Sequence, residues 1–165
     1  MKCLVLCALC LVGCATDYSW RSSVPADART VTVPTFRNES NVSEVGALAS
    51  RQLLREFQRE GTFKVRTSGE AAIEVQGVIK SVSPAMSAYN RRAGGRVAAY
   101  DLSATAEISV IDKRTRKVLV DNRKYVANAT FTAGQDRTTA VRDASGRLMD
   151  DLAQQVVDDI LNLKW

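Results

Sequence analysis

The sequence predicts an α+β fold, a two-layer sandwich with two helices on one face of a four- to five-stranded mixed, mostly antiparallel sheet. Residues 100–110 alternate apolar and polar side chains, which is typical of a strand with one buried face. Apolar residues recur every three or four positions over residues 45–57 and again over 141–163, which predicts two amphipathic helices. One apolar sheet face and two apolar helix stripes can bury one another in two layers.

The first predicted strand and helix follow each other directly. Residues 30–36 alternate β-branched side chains and predict a strand. Pro34 has no N–H to donate, so this strand should lie at an edge of the sheet or end there. The next segment predicts a helix in which Asn41 is the N-cap and Glu44 completes a capping box. Gly61 should end this helix.

Four further elements are strands, and together with the first strand they give the predicted sheet. Phe63 and Val65 mark a short strand, which should run parallel to the first because a helix lies between them. Residues 72–89 predict a long strand, which Pro84 should bend or interrupt. The remaining two strands, at 100–110 and 118–131, should pair as antiparallel hairpins.

The last predicted element is the longest. From about Arg137 the chain should form a helix of about 26 residues, near 40 Å long at 1.5 Å per residue. With both helices on one side, the second face of the sheet should be mostly polar, and either open or covered by a partner.

The composition excludes several kinds of chemistry. The 165 residues carry a net charge of +5 and no histidine, and all four cysteines lie within the first 14 positions. The commonest general base, the commonest transition-metal ligand and the cysteine nucleophile are therefore missing from residues 15–165. The aspartate pairs 150–151 and 158–159 lack the spacing of a calcium loop and are interpreted as a solvated helix face. We expect no enzymatic activity, no metal and no cofactor.

The first 14 residues indicate export. Lys2 precedes an apolar run over residues 4–12 and the small residue Gly13, a signal-peptide pattern that is too short to span a bilayer. Residues 11–14, Leu-Val-Gly-Cys, resemble the lipobox of bacterial lipoproteins, which implies cleavage before Cys14 and lipidation of its sulfur. A plain signal peptide followed by a chance cysteine is the alternative.

This N-terminus divides the chain into three predicted parts. They are a signal peptide at 1–13, a lipidated cysteine and tether at 14–29, and a single α+β domain at 30–165. Ala15, rather than an aspartate, follows the cysteine, and among such lipoproteins this implies an outer-membrane location. A chain directed out of the cytoplasm is not expected to bind nucleic acid.

A basic loop is the clearest candidate for ligand binding. Arg91, Arg92 and Arg96 flank two glycines where the chain turns between two long strands. Arginine binds phosphate with a planar fork of donors, so an exposed tip of this kind fits a phosphate-rich ligand. An ordinary solvated hairpin turn is the equally weighted alternative.

Taken in order, these segments resemble the lipopolysaccharide-assembly lipoprotein family (LptE-like). The resemblance rests on the lipobox, the opening strand, the long strand from residue 72, the segments 91–106 and 112–119, and the closing helix that ends near Trp165. It implies a non-enzymatic lipoprotein on the periplasmic side of the outer membrane, which plugs a large β-barrel protein, helps it assemble and delivers lipopolysaccharide to the cell surface. By position, it implies lipopolysaccharide binding at Arg91 or Arg92 and at Arg123 or Lys124.

A second hypothesis uses the same features for a different partner. In it, the chain is a periplasmic scaffold lipoprotein of another envelope complex, bound to peptidoglycan or to a secretion system through the open sheet face. The two hypotheses differ in the protein that they require, because only the first needs a single very large barrel.

Overall fold

The computed structural model describes residues 24–67, 70–90, 96–132 and 137–165, with side chains described throughout these ranges except at 84–90, 96–99, 132, 137–138 and 140. The predicted signal peptide, Cys14 and most of the predicted tether lie outside the described residues. The elements, after a short 3-10 helix at Ala26–Ala28, are β1 (Thr30–Thr32), β2 (Arg37–Asn38), α1 (Val45–Glu60), β3 (Lys64–Val65), β4 (Ile73–Asn90), β5 (Arg96–Asp112), β6 (Lys117–Thr132) and α2 (Arg137–Leu161).

The strands form one mixed sheet in the order β3-β1-β4-β5-β6, with β2 paired to β4 farther along. β1 and β2 run parallel to β4, and β4, β5 and β6 form antiparallel hairpins. The predicted α+β sandwich is confirmed, and so is the parallel pairing of the first strand with β3. The sheet has six strands rather than four or five, because the predicted first strand (30–36) ends at Thr32 and a short strand that was not predicted, β2, pairs with β4 after Phe36.

The core lies between the sheet and the two helices. Along β5, five successive residues of the inner face are at most 1% exposed: Leu102, Ala104, Ala106, Ile108 and Val110. Across from them, α2 buries Leu148, Leu152, Val156 and Ile160, which confirms the predicted stripe. Each fully buried leucine or isoleucine contributes about 1.5–3 kcal/mol relative to an exposed one, so these two faces hold the layers together. Neither described helix is long and apolar enough to cross a bilayer.

A close contact at Phe36 joins α1 to the sheet. The Phe36 ring lies over Gly77 of β4, where an added Cβ would come within 3.0 Å of the ring. The Phe36 carbonyl oxygen lies against Gly46 in the first turn of α1, where a Cβ would also be closer than 3.0 Å. The Phe36 N–H donates to Ser50 Oγ at 2.7 Å, one turn farther along the helix. Two glycines and one serine therefore set the distance between α1, the connecting segment and β4.

The start of α1 differs from the prediction. The helix begins at Val45, after Glu44 in the left-handed conformation (φ 62°), and no side chain caps it, so the predicted Asn41 cap and Glu44 capping box are wrong. Asn38 organises this segment instead, since its side chain accepts from the Ser40 N–H (3.0 Å) and donates to the Val42 carbonyl (2.8 Å). The hydrogen bonds of Asn38 hold the segment that follows Phe36 in a turn through Val42, so the helix starts at Val45 and not after Asn41.

The end of α1 matches the prediction. Gly61 follows the helix with a φ of 85°, and its N–H donates to the Phe57 carbonyl at 3.2 Å. This left-handed conformation is the one that glycine adopts without a steric penalty.

Pro84 does not interrupt β4. It pairs with Leu102 of β5, and the three irregularities in the register lie at Ile79/Ser81, Met86/Ala88 and Ala88/Tyr89 instead. The last pairing of β2 with β4 is at Ile79, so among the described residues Pro84 has no strand on its other side. A missing N–H costs no ladder hydrogen bond on an unpaired edge.

The two glycines of the helices should respond oppositely to alanine. Gly46→Ala should lower the free energy of unfolding by about 1–3 kcal/mol, because the new methyl group meets the backbone of Phe36. Gly146→Ala in α2, where a Cβ would meet nothing within 4 Å, should raise it by about 0.5–1 kcal/mol through helix propensity. Urea unfolding of both variants measures the contrast. Equal or greater stability of Gly46→Ala would show that α1 is free to move away from Phe36.

Candidate functional site

The outer face of β4, β5 and β6 is mostly polar, and neither described helix covers it. It alternates with the buried face along each strand and carries Glu74, Gln76, Lys80, Ser103, Thr105, Glu107, Ser109, Lys124, Asn128 and Thr130, together with the apolar Val78, Ile111 and Val126. We refer to these residues as the open face. The alternation of β5 predicted such a surface, and the structure extends it over three strands.

Ion pairs neutralise part of the open face. Lys80 Nζ lies 2.5 Å from the Glu39 carboxylate and 4.0 Å from that of Glu107, and Lys113 Nζ lies 2.7 Å from Glu74. The hydrogen bond from Lys80 lowers the pKa of Glu39, and the one from Lys113 lowers the pKa of Glu74. Exposed pairs of this kind contribute little to stability, because water screens them. Their larger effect is to leave a mixed-charge surface suited to hydrogen bonding.

A bulge in β6 shapes a depression in this face. Ile108 pairs with Arg123 but Val110 pairs with Val120, so one residue of β5 faces two of β6. Asn122 takes up the extra residue with a φ of 41°, and its N–H donates to Ser109 Oγ at 3.0 Å. The depression has a volume of about 480 Å³, and most of its lining is polar: Thr35, Arg37, Glu74, Gln76, Glu107, Ser109 and Asn122. Such a lining can hydrogen-bond to a partner's side chains or backbone.

The sequence-predicted site residues lie in separate places. Arg91, Arg92 and Cys14 lie outside the described residues. Arg96 begins β5 and pairs through its backbone with Asn90, at the end of the long β4–β5 hairpin. Lys124 faces Glu107, eleven positions farther along β5. At about 3.3 Å per residue this separation is about 36 Å, so no single phosphate group reaches both.

Arg123 and Lys124 point to opposite faces although they are neighbours. Arg123 lies on the helix side and forms an ion pair with Asp159 of α2. Lys124 is exposed on the open face and has no ion pair within the described residues. Of the two, Lys124 is the one that a ligand or partner on the open face can contact.

One functional feature was missed by the sequence analysis: α2 covers the outer edge of β6 with polar side chains. Asp151 accepts from the Asn128 N–H (3.4 Å), Gln155 donates to the Val126 carbonyl (3.3 Å), and Arg147 donates to the Thr130 carbonyl (3.1 Å). A sheet edge without partners is a template for unwanted strand pairing, and these contacts occupy it.

The sequence contained one signal for these contacts between α2 and the edge of β6, which is a spacing of four residues between polar side chains. Arg147, Asp151, Gln155 and Asp159 fall every fourth position, beside the apolar stripe of α2. The interpretation of the aspartates as a solvated face is right for Asp150 and Asp158, which are exposed. It is wrong for Asp151 and Asp159, which bind β6. Within the described residues, no group of histidine, cysteine or acidic side chains could hold a metal ion.

The last contact between α2 and β6, which joins Asp159 to Tyr125, lies in the core. Tyr125 is 7% exposed, and its hydroxyl donates to the Asp159 carboxylate at 2.5 Å. Burial raises the pKa of Tyr125 well above its usual range, and the hydrogen bond to Asp159 raises it further. The phenol therefore stays protonated and keeps α2 attached to β6.

Comparisons with solved structures define the class of the fold. A hypothetical protein from Chlamydia trachomatis is 12% identical with a TM-score of 0.54, over 82% of this chain and 96% of that one. Uncharacterized lipoprotein B from Nitrosomonas europaea is 14% identical with a TM-score of 0.53, over 84% and 85%. A minor lipoprotein from Acinetobacter baumannii is 14% identical with a TM-score of 0.52, over 81% and 93%. The fold is therefore one that small bacterial lipoproteins adopt.

The family follows from the sequence itself. A model of the LptE family, described as lipopolysaccharide-assembly, matches residues 28–161. Because this match spans nearly the whole folded domain, the chain belongs to the LptE family, and its role lies in lipopolysaccharide assembly. A comparison with curated protein sequences finds no match.

Raising the pH should weaken the fold through Tyr125. The unfolded phenol ionises near pH 10, whereas the folded one stays protonated, so the folded state holds the extra proton and stability falls as the pH rises above about 10. In Tyr125→Phe this part of the loss should vanish, while the free energy of unfolding at pH 8 should be lower by about 1 kcal/mol for the lost hydrogen bond. Urea midpoints between pH 8 and pH 11 compare the two proteins. Parallel losses in both would mean that the hydroxyl is not held on Asp159.

Proposed function

We propose that this protein is a non-enzymatic outer-membrane lipoprotein that occupies a large β-barrel, helps it assemble and delivers lipopolysaccharide through it. Membership of the LptE family supports the pathway. The open face supports the barrel, because it is the one large surface of the described sheet that the chain's own helices leave uncovered. Lipidation of Cys14 would hold the protein on the periplasmic side of the membrane.

The composition of the open face fits the inside of a barrel. The inner wall of an outer-membrane barrel is polar, since lipid-facing and lumen-facing residues alternate along its strands. Ser103, Thr105 and Asn128 offer short neutral donors and acceptors to such a wall, and Lys124 and Glu107 offer one charge of each sign. The sheet is about 19 Å wide over five strands and about 60 Å long along β4, dimensions that the lumen of a large barrel can hold.

Barrel binding should depend on the open face and not on the helices. Ser103→Arg combined with Thr105→Arg places two charges at the centre of the face, and an unpaired buried charge costs several kcal/mol. Recovery of the barrel protein from detergent-solubilised outer membrane should fall by at least about tenfold. Gln58→Arg combined with Gln154→Arg, at exposed positions of α1 and α2, is the matched control and should bind normally.

Two results would contradict this proposal. The first is normal barrel recovery with the open-face variant, provided that its urea midpoint shows a folded protein. The second is recovery of a secretion component or peptidoglycan in place of a single large barrel, which would support the scaffold hypothesis.

Lipopolysaccharide contact should show in the binding constant of charge-reversed variants. Arg91→Glu, Arg92→Glu and Arg96→Glu together should weaken binding by about tenfold or more at low salt, and Lys124→Glu by a smaller factor. Added salt should weaken wild-type binding too, since exposed charges are screened over about 8–10 Å. The matched control reverses three exposed helix arginines, Arg51, Arg55 and Arg142. If the control weakens binding as much as the hairpin triple does, net charge rather than a site determines the affinity.

A further inference from the structure

One end of the sandwich collects positive charge across the whole width of the sheet. Here β1, β3 and β4 begin, β5 ends and β6 begins, because Lys64 pairs with Thr30 and Ile73 pairs with Asp112. The exposed cations at this end are Arg29, Lys64, Arg66, Lys113, Arg114, Arg116 and Lys117. We call this surface the basic end. It is about 19 Å wide at 4.8 Å per strand.

Part of this charge is neutralised and part is not. Arg114 forms ion pairs with Asp27 and Asp112, and Lys113 with Glu74. Glu60 and Glu70 also lie near this end. Among the described residues, however, the remaining five cations have no ion pair: Arg29, Lys64, Arg66, Arg116 and Lys117. The turn between β5 and β6 therefore projects unpaired positive charge.

An exposed apolar side chain lies beside this charge. Val118 follows Arg116 and Lys117 and is 52% exposed, the most exposed large hydrophobic residue in the described part of the chain. The turn has a defined shape, because Asp112 accepts from the Arg114 N–H at 2.9 Å and Arg116 is left-handed with a φ of 57°. Lysine and arginine next to an exposed apolar group are typical of surfaces that bind anionic bilayers.

The chain enters the domain at the same end. Val24 is 1% exposed, and Asp27, three residues later, is paired with Arg114 of the β5–β6 turn. Nine residues separate Val24 from Cys14. Ten residue steps reach at most about 35 Å. A lipid on Cys14 would therefore hold the basic end near the bilayer, whereas Asn90, at the other end of β4, is about 60 Å away.

We propose that the basic end is a membrane-contact surface, which binds the anionic phospholipid headgroups of the leaflet that carries the Cys14 anchor. Lys64, Arg66, Arg116 and Lys117 bind the headgroup phosphates, and Val118 enters the interface. The domain then stands upright, with the β4–β5 hairpin pointing away from this leaflet. The orientation rests on the proposed Cys14 anchor, but headgroup binding by the basic end does not.

Flotation with vesicles tests headgroup binding apart from the anchor, the barrel and lipopolysaccharide. The mature chain with Cys14→Ser is mixed with vesicles of phosphatidylethanolamine and phosphatidylglycerol, and with vesicles of phosphatidylcholine alone. Each cation near an anionic surface contributes roughly fivefold to binding, so Arg116→Glu with Lys117→Glu should weaken it by about 25-fold or more. Binding to phosphatidylcholine should be absent. Val118→Ser should weaken binding at all salt concentrations, because its contribution is hydrophobic.

The matched control reverses three exposed helix arginines, Arg51→Glu with Arg55→Glu and Arg142→Glu, and should float like the parent. Should the glutamate variant prove unstable in urea, Arg116→Asn with Lys117→Ser replaces it, since asparagine tolerates a left-handed backbone. Three results would overturn the proposal: no flotation of the parent with anionic vesicles, undiminished flotation of the turn variant, or an equal or greater loss in the helix-arginine control. None of these results bears on recovery of the barrel, so the proposed function stands or falls separately.

Discussion

The contact of Phe36 with Gly46 and Gly77 sets the geometry on which the rest of the structure depends. It holds α1 against β4 at a distance that any side chain larger than hydrogen would increase. The Ser50 hydroxyl accepts from the Phe36 N–H and donates to the Gly46 carbonyl, so it links the connecting segment to the first turn of α1. With α1 fixed there, α2 packs beside it on the same side of the sheet, and the opposite side stays open.

This one-sided packing gives the molecule three distinct surfaces. The helix side buries the apolar core, and there Asp151, Gln155 and Asp159 of α2 form hydrogen bonds with β6. The open face is polar and unprotected, as a surface that meets a polar partner must be. The two ends of the sheet differ as well, since the chain enters the domain at the basic end and Asn90, at the other end of β4, lies about 60 Å away. The domain therefore offers separate surfaces for the contacts proposed with a membrane, a barrel and lipopolysaccharide.

The candidate site was predictable in part. The alternation of β5 predicted the open face, because the side-chain period of two is a local property of a strand. The alternation of β6 turns Arg123 toward the helices and Lys124 toward the open face, but the pairing of Arg123 with Asp159 was not predictable, because the two residues lie 36 positions apart in the chain. The 36 Å between Arg96 and Lys124 likewise follows from the register of β5 with β6, which no local pattern contains.

The sequence by itself determined the class of the fold, the length and inner face of α2, the parallel direction of β3 relative to β1 and the end of α1 at Gly61. Each of these depends on residues within a few positions of one another, through side-chain period, backbone conformation or hydrogen-bonding capacity. The tertiary structure decided where α1 begins, that Pro84 continues a strand, and which aspartates of α2 bind β6. Each of these depends on a partner distant in the chain: Phe36 for α1, the end of β2 for Pro84, and the edge of β6 for Asp151 and Asp159.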